Sequence, residues 1–361
     1  GILSMRILIN ASGQKIGGGI QVSLSIIRHL QKLDGIDVIY VISKQVYLEL
    51  TNEEQSMENI LCGRKSILGN VFLLKKIENY FKPEVAISIF GPTLWKPKCK
   101  HICGFAIPHY IYESESPFFQ RISFLNKLKH KIFKRTKIYL FKRNSDFLYS
   151  ETFESSKRIQ RITNKECRTI PNTLNQEFLK FQPEYHPPLD EINILVVAAN
   201  YPHKNLSILK EVSKKLKEES IDFKIHLTID EKSYKNGFSR DPVFINHGKL
   251  SLNSLAKLYQ KGHLLLFPTL LECFSATYLE ASYFKIPILT SDLPFAHTIC
   301  EKNVKYFNPL DPSSIVNEIT ELLRKEDEFE NYSRLSHKIY QESLDSNKRV
   351  KLLIEYAKEV K

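Results

Sequence analysis

Length, composition and charge narrow the classes of protein to which this chain can belong. Its 361 residues and 42.0 kDa exceed the size of one typical domain, so we expect two compact units. With 42% hydrophobic and 25% charged residues, the composition excludes a disordered chain and a disulfide-stabilised mini-protein. The net charge of +12 is uneven: residues 1–180 carry +13 and residues 181–361 carry −1, which predicts an anionic partner for the first half.

Neither a membrane span nor a metal site is indicated by the sequence. No segment approaches the roughly 20 consecutive apolar residues of a transmembrane helix, and residues 1–4 are interpreted as a cloning remnant rather than a signal peptide. The expectation is a soluble or peripheral protein. Cys99, His101 and Cys103 lie in a strand-like run without a second ligand pair, so no metal is assigned.

The first half alternates short apolar runs with helical patterns. A run that ends at Asn10 is followed by three glycines at residues 17–19 and by apolar residues at helical spacing as far as Leu33, which predicts a strand, a loop and a helix capped by Gly35. Further apolar runs without polar alternation predict buried strands at residues 38–42, 85–89 and 101–105. This order is typical of an α/β unit with a parallel sheet.

A basic segment at residues 120–143 stands out within the first half. It contains nine Lys or Arg and no Asp or Glu, with aromatic and aliphatic residues between the cations. This pattern is typical of a helix that lies in a membrane interface, and a solvated helix whose apolar residues belong to the core remains the alternative. The residues predicted to contact membrane or acceptor are Lys127, Lys131, Lys134 and Arg135.

The second half repeats the strand and helix order of the first. Its predicted strands are residues 192–198, 223–229, 263–267 and 286–289. The proline-containing segment 171–188 is the predicted linker. The predicted domains are therefore residues 5–180 and 181–335, both Rossmann-like, with a helix at 336–361 that packs back toward the first domain. A cleft between the two parallel sheets is expected.

Residues 266–281 form the most informative segment of the second half. A strand is followed by a loop with Glu272 and by a helix start at Ser275 and Thr277, where free backbone N–H groups favour an anion. Glu280 follows in the helix, so the two carboxylates can address one ligand; a loop carboxylate and a solvated helix residue are the alternative interpretation. Lys204 follows the first strand of this half and is either a cation for a pyrophosphate or an exposed loop lysine.

Several short motifs occur together in one order. They are Lys204-Asn205, His247-Gly248-Lys249-Leu250, Phe267-Pro268-Thr269, the Glu272 to Glu280 spacing, Ile286-Pro287-Ile288 and Asn308-Pro309-Leu310-Asp311-Pro312. On these residues the chain resembles the retaining glycosyltransferases of family 4 (glycosyl transferases group 1), which have the GT-B fold of two Rossmann-like domains. The resemblance is dense over residues 192–325 and thinner in the first half.

The resemblance implies a role for each matching residue. Glu280 would bind the nucleotide ribose, Glu272 would face the donor sugar, and Lys204 would neutralise the leaving diphosphate. Other donor contacts are implied for Gly18, Gly19, Gly248, Leu250, Phe274, Ser275, Ala276 and Thr277. His109 resembles a family histidine that reaches the sugar or the acceptor hydroxyl, with a loop residue without a role as the alternative. The family usually pairs an arginine with its lysine, and Ala199 occupies about that place here.

The resemblance therefore implies an enzyme that moves a hexose from a UDP- or GDP-sugar to a lipid-linked or polysaccharide acceptor, and retention of configuration is implied by the family alone. The expected context is O-antigen, lipopolysaccharide or capsule synthesis on the cytoplasmic face of the inner membrane, without cofactor or metal. A nucleotide-sugar epimerase of GT-B fold and a basic nucleic-acid-binding protein are the alternatives. The latter lacks a recognisable module, so no nucleic acid is expected as a partner.

Overall fold

The chain forms two compact units, and neither is one continuous stretch. The computed structural model describes residues 4–361, except the side chain of Glu326, so residues 1–3 of the expected cloning remnant lie outside the described residues. The first unit contains the residues up to Ile111 together with Ser123–Thr173 and Leu344–Lys361. The second unit contains Tyr112–Ile122 and Leu174–Ser343.

The β-strands form one parallel sheet in each unit. In chain order the strands of the first unit are β1 (Met5–Ala11), β2 (Ile36–Ile42), β3 (Ile60–Cys62), β4 (Val85–Ser88), β5 (Lys100–Gly104), β6 (Phe147–Ser150) and β7 (Cys167–Thr169). Those of the second unit are β8 (Ile192–Val196), β9 (Phe223–Leu227), β10 (Phe244–Asn246), β11 (Leu264–Phe267), β12 (Ile288–Ser291) and β13 (Lys305–Phe307).

The α-helices lie between these strands and at the end of the chain. In chain order they are α1 (Gly17–Leu30), α2 (Lys44–Leu48), α3 (Asn52–Gln55), α4 (Ile67–Phe81), α5 (Phe118–Arg121), α6 (Phe124–Asn144), α7 (Phe153–Thr163), α8 (Leu209–Glu218), α9 (Glu231–Gly237), α10 (Leu252–Lys261), α11 (Ala276–Tyr283), α12 (Pro294–Cys300), α13 (Pro312–Arg324), α14 (Glu326–Gln341) and α15 (Ser346–Val360).

The strand orders are those of two Rossmann-like sheets, as the sequence predicts. The order is β3-β2-β1-β4-β5-β6-β7 in the first unit and β10-β9-β8-β11-β12-β13 in the second. Central strands such as β4 and β11 are buried along their whole length because helices cover both faces of each sheet. Continuous apolar runs are therefore the signal of the central strands, whereas β9 alternates apolar and polar residues.

Helix boundaries depart from the sequence prediction at the glycines. Gly17, Gly18 and Gly19 form the first turn of α1 rather than a loop ahead of it, and α1 ends at Leu30. Gly35 is therefore not its cap. Gly35 instead has a φ of +76° in the turn that enters β2, a conformation that glycine adopts without steric cost.

The unit boundaries differ from the predicted division at residues 180/181 and 335/336. The chain passes between the units at Thr173/Leu174 and again at Ser343/Leu344, so α14 belongs to the second unit and α15 to the first. Val350, Leu353 and Ile354 of α15 are buried in the core of the first unit. Among residues 4–361, no helix combines the length and apolar character that a membrane span requires.

Candidate functional site

The second sheet has a topological switch point between β8 and β11. From β8 the chain builds outward through β9 and β10, and then returns to β11 and builds in the opposite direction. The loops that follow β8 and β11 lie side by side at the carboxyl edge of the sheet, where the backbone N–H of Leu270 donates to the carbonyl of His203 at 2.7 Å. Open α/β sheets bind ligands at such an edge.

Asn205 fixes the loop that follows β8. Its backbone is left-handed, with φ of 59°, directly after the 3₁₀ turn Pro202–Lys204. Its buried Nδ2 donates to the carbonyls of Pro268 (3.2 Å) and Pro309 (2.8 Å), which ties three loops together. Lys204 is thereby held beside the loop that follows β11.

Lys204 and Glu272 form an ion pair in that position. Lys204 Nζ contacts Glu272 Oε1, and Thr269 Oγ1 donates to the same oxygen at 2.8 Å. The two side chains are only 15% and 10% exposed. The two residues thus lie together and the carboxylate compensates the lysine, while their shared role in a donor site stays a prediction.

The helix that begins after this loop presents its amino end to the same region. α11 starts at Ala276, and its N-cap residue Ser275 makes no side-chain hydrogen bond to the first turn. Thr277 Oγ1 donates to the carbonyl of Val197 at 3.3 Å, so the helix start lies against the loop after β8. Uncapped first-turn N–H groups and the helix dipole favour an anion here.

Glu280 has a partner that the sequence did not reveal. Tyr259 Oη, on α10, donates to Glu280 Oε2 at 2.7 Å. Burial raises the pKa of Glu280 to about 7, and the hydrogen bond from Tyr259 opposes that rise. Glu280 is therefore not a solvated helix residue. No spacing pattern connects residues 259 and 280, because they lie on different helices.

The loop that follows β10 contains Gly248 and Leu250. Gly248 has a φ of +64°, where other residues are strained, and Leu250 packs against the core of the second unit. Phe274 also packs against that core. All these donor-contact candidates except Gly18 and Gly19 lie in the second unit.

The candidates of the first unit lie at the carboxyl edge of its sheet. A Cβ on Gly18 would meet no atom within 4 Å, whereas one on Gly19 would stand 2.4 Å from Gln14 Oε1. A side chain at position 19 would displace the end of Gln14, whose Nε2 donates to the carbonyl of Phe90 at 2.9 Å, and contact of Gly19 with phosphate stays a prediction. His109 is half-buried in a 3₁₀ turn, Pro108–Tyr110, that follows β5.

The basic segment forms α6, and its outward face carries both apolar and basic side chains. Successive helix residues are separated by about 100°, which places five exposed apolar side chains within an arc of about 100° on the side away from buried Phe141. They are Phe124, Leu125, Leu128, Ile132 and Tyr139. Arg135, Lys142 and Arg143 are exposed within the same arc, Lys127 and Lys131 are exposed beside it, and Lys134 is half-buried. The apolar residues of this face are therefore not part of a core.

A segment from the first half of the chain belongs to the second unit, which the sequence did not predict. We call Tyr112–Ile122 the strap. Its Ser116 Oγ donates to the carbonyl of Leu270 at 2.7 Å, and Arg121 Nη1 donates to Asn205 Oδ1 at 2.9 Å. The strap thus contacts both loops of the switch point.

Metal-ligand clusters are absent from residues 4–361: no group of three or more His, Cys, Asp or Glu side chains could hold an ion. His101 is fully buried, with Nε2 2.8 Å from Ser88 Oγ and Nδ1 at the carbonyl of Asn144. That a cofactor is not needed stays a prediction.

Comparison with known proteins assigns a class to this arrangement. Residues 178–342 match the family model of glycosyl transferases group 1, which corresponds to nearly all of the second unit. Together with the two parallel sheets and the solved structures described next, this match supports a GT-B glycosyltransferase.

Individual relatives are distant. The O-antigen chain mannosyltransferase RfbU of Salmonella typhimurium is 24% identical over 208 residues, which span 55% of this chain and 56% of that protein. The chain thus matches little more than half the length of this curated relative. Sucrose-phosphate synthase from Thermosynechococcus elongatus superposes with a TM-score of 0.74 at 13% identity over 98% of both chains. Anabaena HepE, solved with UDP-glucose, gives 0.74 at 13% identity, over 98% of this chain and all of HepE. These structures show the GT-B fold.

Proposed function

We propose that the protein transfers a hexose from a nucleotide diphosphate sugar to a hydroxyl of a lipid-linked or polysaccharide acceptor, with retention of configuration. The observation that carries this proposal is the Lys204–Glu272 pair at the switch point, beside the uncapped amino end of α11. A cation, a carboxylate and free N–H groups are the groups that a sugar diphosphate requires.

The chemistry follows from these groups. The bond between the anomeric carbon and the diphosphate oxygen breaks, the acceptor oxygen bonds to that carbon, and the departing diphosphate or water takes up the proton of the acceptor hydroxyl. Negative charge develops on the departing diphosphate, where Lys204 and the N–H groups of Ala276 and Thr277 would stabilise it. Glu272 would hold the donor sugar and balance the positive charge on the anomeric carbon.

The remaining candidates complete the proposed donor site. Glu280, fixed through Oε2 by Tyr259, would offer its other oxygen to the ribose. Gly248 and Leu250 would border the base. Gly18 and Gly19 would approach the phosphates, and His109 would contact the sugar or the acceptor hydroxyl. HepE was solved with UDP-glucose and RfbU is an O-antigen chain mannosyltransferase, which supports a nucleotide sugar as donor and a glycan as acceptor.

We further propose that α6 holds the protein on an anionic bilayer at the cytoplasmic face of the inner membrane. The helix carries eight Lys or Arg and no acidic residue, and its outward arc exposes side chains such as Phe124 (78%) and Ile132 (57%). A second copy of the same helix would bring like charges together, whereas an anionic leaflet complements both the cations and the apolar arc. A lipid-linked acceptor would be reached from there.

The two alternative functions are not favoured by the family match or by the relatives. Incubation with UDP- and GDP-sugars separates all three. Nucleotide release that requires an acceptor supports the transferase, whereas isomerisation of the sugar without acceptor would identify an epimerase. Salt-sensitive binding of an oligonucleotide without either reaction would identify a nucleic-acid-binding protein.

The site assignment is tested in the same assay by matched substitutions. Glu272→Gln should abolish acceptor-dependent nucleotide release while the fold is retained. Glu218→Gln changes an exposed glutamate of the same unit and should leave the rate unchanged. Wild-type turnover in the Glu272→Gln variant would reject the assignment.

A further inference from the structure

The strap is fixed to the switch point by buried contacts. Ser116 is 4% exposed, and its hydroxyl donates to the carbonyl of Leu270 while accepting the backbone N–H of Phe118 at 3.3 Å. The ring of Phe118 meets that of His203 edge-on at 6.5 Å, and Tyr112 meets Phe295 in the same manner. The end of the strap therefore has a defined position beside the loops that follow β8 and β11.

Arg121 lies at that end of the strap. It contacts Asn205, the residue that follows Lys204 in the loop after β8. Its Nη1 donates to Asn205 Oδ1 at 2.9 Å. Asn205 is 3% exposed and uses both protons of its Nδ2 on carbonyls, so its Oδ1 is oriented toward the guanidinium. The rest of Arg121 is exposed, and within residues 4–361 no carboxylate forms an ion pair with it.

The charges at the switch point leave room for a further cation to bind a diphosphate. Lys204 is compensated by Glu272. Burial, with the nearby Lys204 charge, lowers the pKa of His203 to about 4, so this ring is neutral at pH 7. These three side chains together contribute no net positive charge, whereas a departing nucleoside diphosphate carries two to three negative charges. Arg121 adds a positive charge beside these side chains and forms no ion pair within the described residues.

We propose that Arg121, delivered by the strap, binds the diphosphate of the donor beside Lys204. This inference rests on the proposed function and adds a residue from the first half of the chain to the donor site. Asn205 holds one N–H of the guanidinium, which leaves four for phosphate oxygens. The planar fork suits two oxygens of one phosphate, a geometry that a lysine cannot reproduce.

The test is titration calorimetry with full-length protein and three ligands that differ only in phosphate number. For uracil these are UDP, UMP and uridine, and for guanine they are GDP, GMP and guanosine. Arg121→Gln should lower the affinity for the nucleoside diphosphate by about tenfold or more, as expected when a charged hydrogen bond is lost. The affinity for the nucleoside should change by less than about twofold. Arg121→Lys keeps the charge without the fork and should recover part of the affinity.

The control is Arg240→Gln, which removes an exposed arginine of the same unit and should leave all three affinities unchanged. Equal weakening of diphosphate and nucleoside in Arg121→Gln would show that the arginine only holds the strap, and would overturn the inference while leaving the proposed function intact. Unchanged diphosphate affinity would overturn it as well. Failure of the wild type to bind any nucleoside diphosphate would overturn the proposed function together with the inference.

Discussion

At the scale of single residues, the site depends on charges that are largely removed from water. Lys204 and Glu272 are each nearly buried, so each requires the other to offset its desolvation. Glu280 is half-buried, forms no ion pair within the described residues, and accepts a hydrogen bond from Tyr259. Both arrangements are costly to keep without a ligand, which is typical of functional rather than structural carboxylates.

Substitutions in the Lys204–Glu272 pair should therefore be non-additive. Lys204→Met and Glu272→Gln should each lower the free energy of unfolding by about 2–4 kcal/mol, because each leaves a poorly solvated partner. The double variant should lose clearly less than the sum, while nucleotide release stays abolished. Urea denaturation of the four proteins measures this. Additive losses would contradict a direct pair.

Glu280 should make stability depend on pH near neutrality. Its folded pKa of about 7 lies above that of an unfolded glutamate, so the folded state binds the extra proton, and this stabilisation is complete at low pH and lost as pH rises from about 4.5 through 7. Wild type should therefore lose up to about 3 kcal/mol relative to Glu280→Gln across that range. If the free energy of unfolding depended on pH in the same way for wild type and Glu280→Gln, the raised pKa of Glu280 would be refuted.

Removal of the Tyr259 hydroxyl should raise the pKa of Glu280. The hydrogen bond stabilises the carboxylate, so Tyr259→Phe should raise the pKa of Glu280 and shift the pH dependence of nucleotide binding to higher pH. Calorimetry of UDP or GDP binding between pH 5 and pH 9, repeated for Tyr259→Phe and for wild type, measures this shift. An unshifted profile would show that Tyr259 does not tune the carboxylate.

The sequence indicated Lys204, Glu272 and Glu280 as site candidates. It did not reveal Tyr259 as the partner of Glu280 or Arg121 as the partner of Asn205. Motif spacing places residues on one loop or one helix, whereas Tyr259 and Glu280 lie on α10 and α11, and Arg121 and Asn205 are 84 positions apart. Those contacts arise only when the sheet brings its loops together. Local periodicity carries no signal for them.

At the scale of elements, α6 exposes apolar side chains together with several cations. Replacement of Lys127, Lys131 and Arg135 by Gln should abolish flotation with vesicles that contain anionic phospholipid, since each cation near the surface contributes about 1 kcal/mol. Ile132→Ser with Leu128→Ser should weaken flotation at fixed charge. Equal flotation of wild type with neutral and anionic vesicles would contradict the electrostatic part of the account.

Strands were easier to predict than helix ends. Buried parallel strands require uninterrupted apolar runs, which the sequence displays directly, whereas the start of α1 depends on whether three glycines extend a loop or a helix. Glycine permits both conformations, so local sequence does not decide between them. The residues that follow the glycines, Val22 and Leu24 among them, are buried as part of α1. We infer that their packing favours the helical conformation of the glycines.

At the scale of the whole molecule, buried histidines should make the protein sensitive to mild acid. Burial lowers the pKa of His101 to about 4, so the folded state keeps it neutral while the unfolded chain takes up a proton below about pH 6.5. Stability is complete above pH 6.5 and falls as pH drops toward 4. His203 and His226, whose pKa values burial also lowers to about 4, act in the same direction.

His101→Gln should reduce this acid slope, whatever its effect on absolute stability. Thermal denaturation between pH 4.5 and pH 7.5 measures it, and His186→Gln, which changes a half-exposed histidine of the second unit, is the matched control. An identical slope in the His101→Gln variant and in wild type would show that His101 does not couple folding to protons.

The division of the chain into segments that belong to each unit could not be predicted from the sequence. The strap lies within the first half by position, but Ser116 donates to Leu270 and the ring of Tyr112 meets that of Phe295, both in the second unit. A linear division assigns each residue to its neighbours in sequence. Only the folded structure shows that Arg121, from the first half of the sequence, belongs to the second unit.

The central claim is that a leaving diphosphate binds at the switch point of the second sheet. The most direct measurement is a crystal structure with a bound nucleoside diphosphate. The account predicts phosphate density between Lys204 Nζ and the backbone N–H groups of Ala276 and Thr277, with the ribose at Glu280. A nucleotide bound elsewhere, with the Lys204–Glu272 pair and the start of α11 untouched, would contradict it.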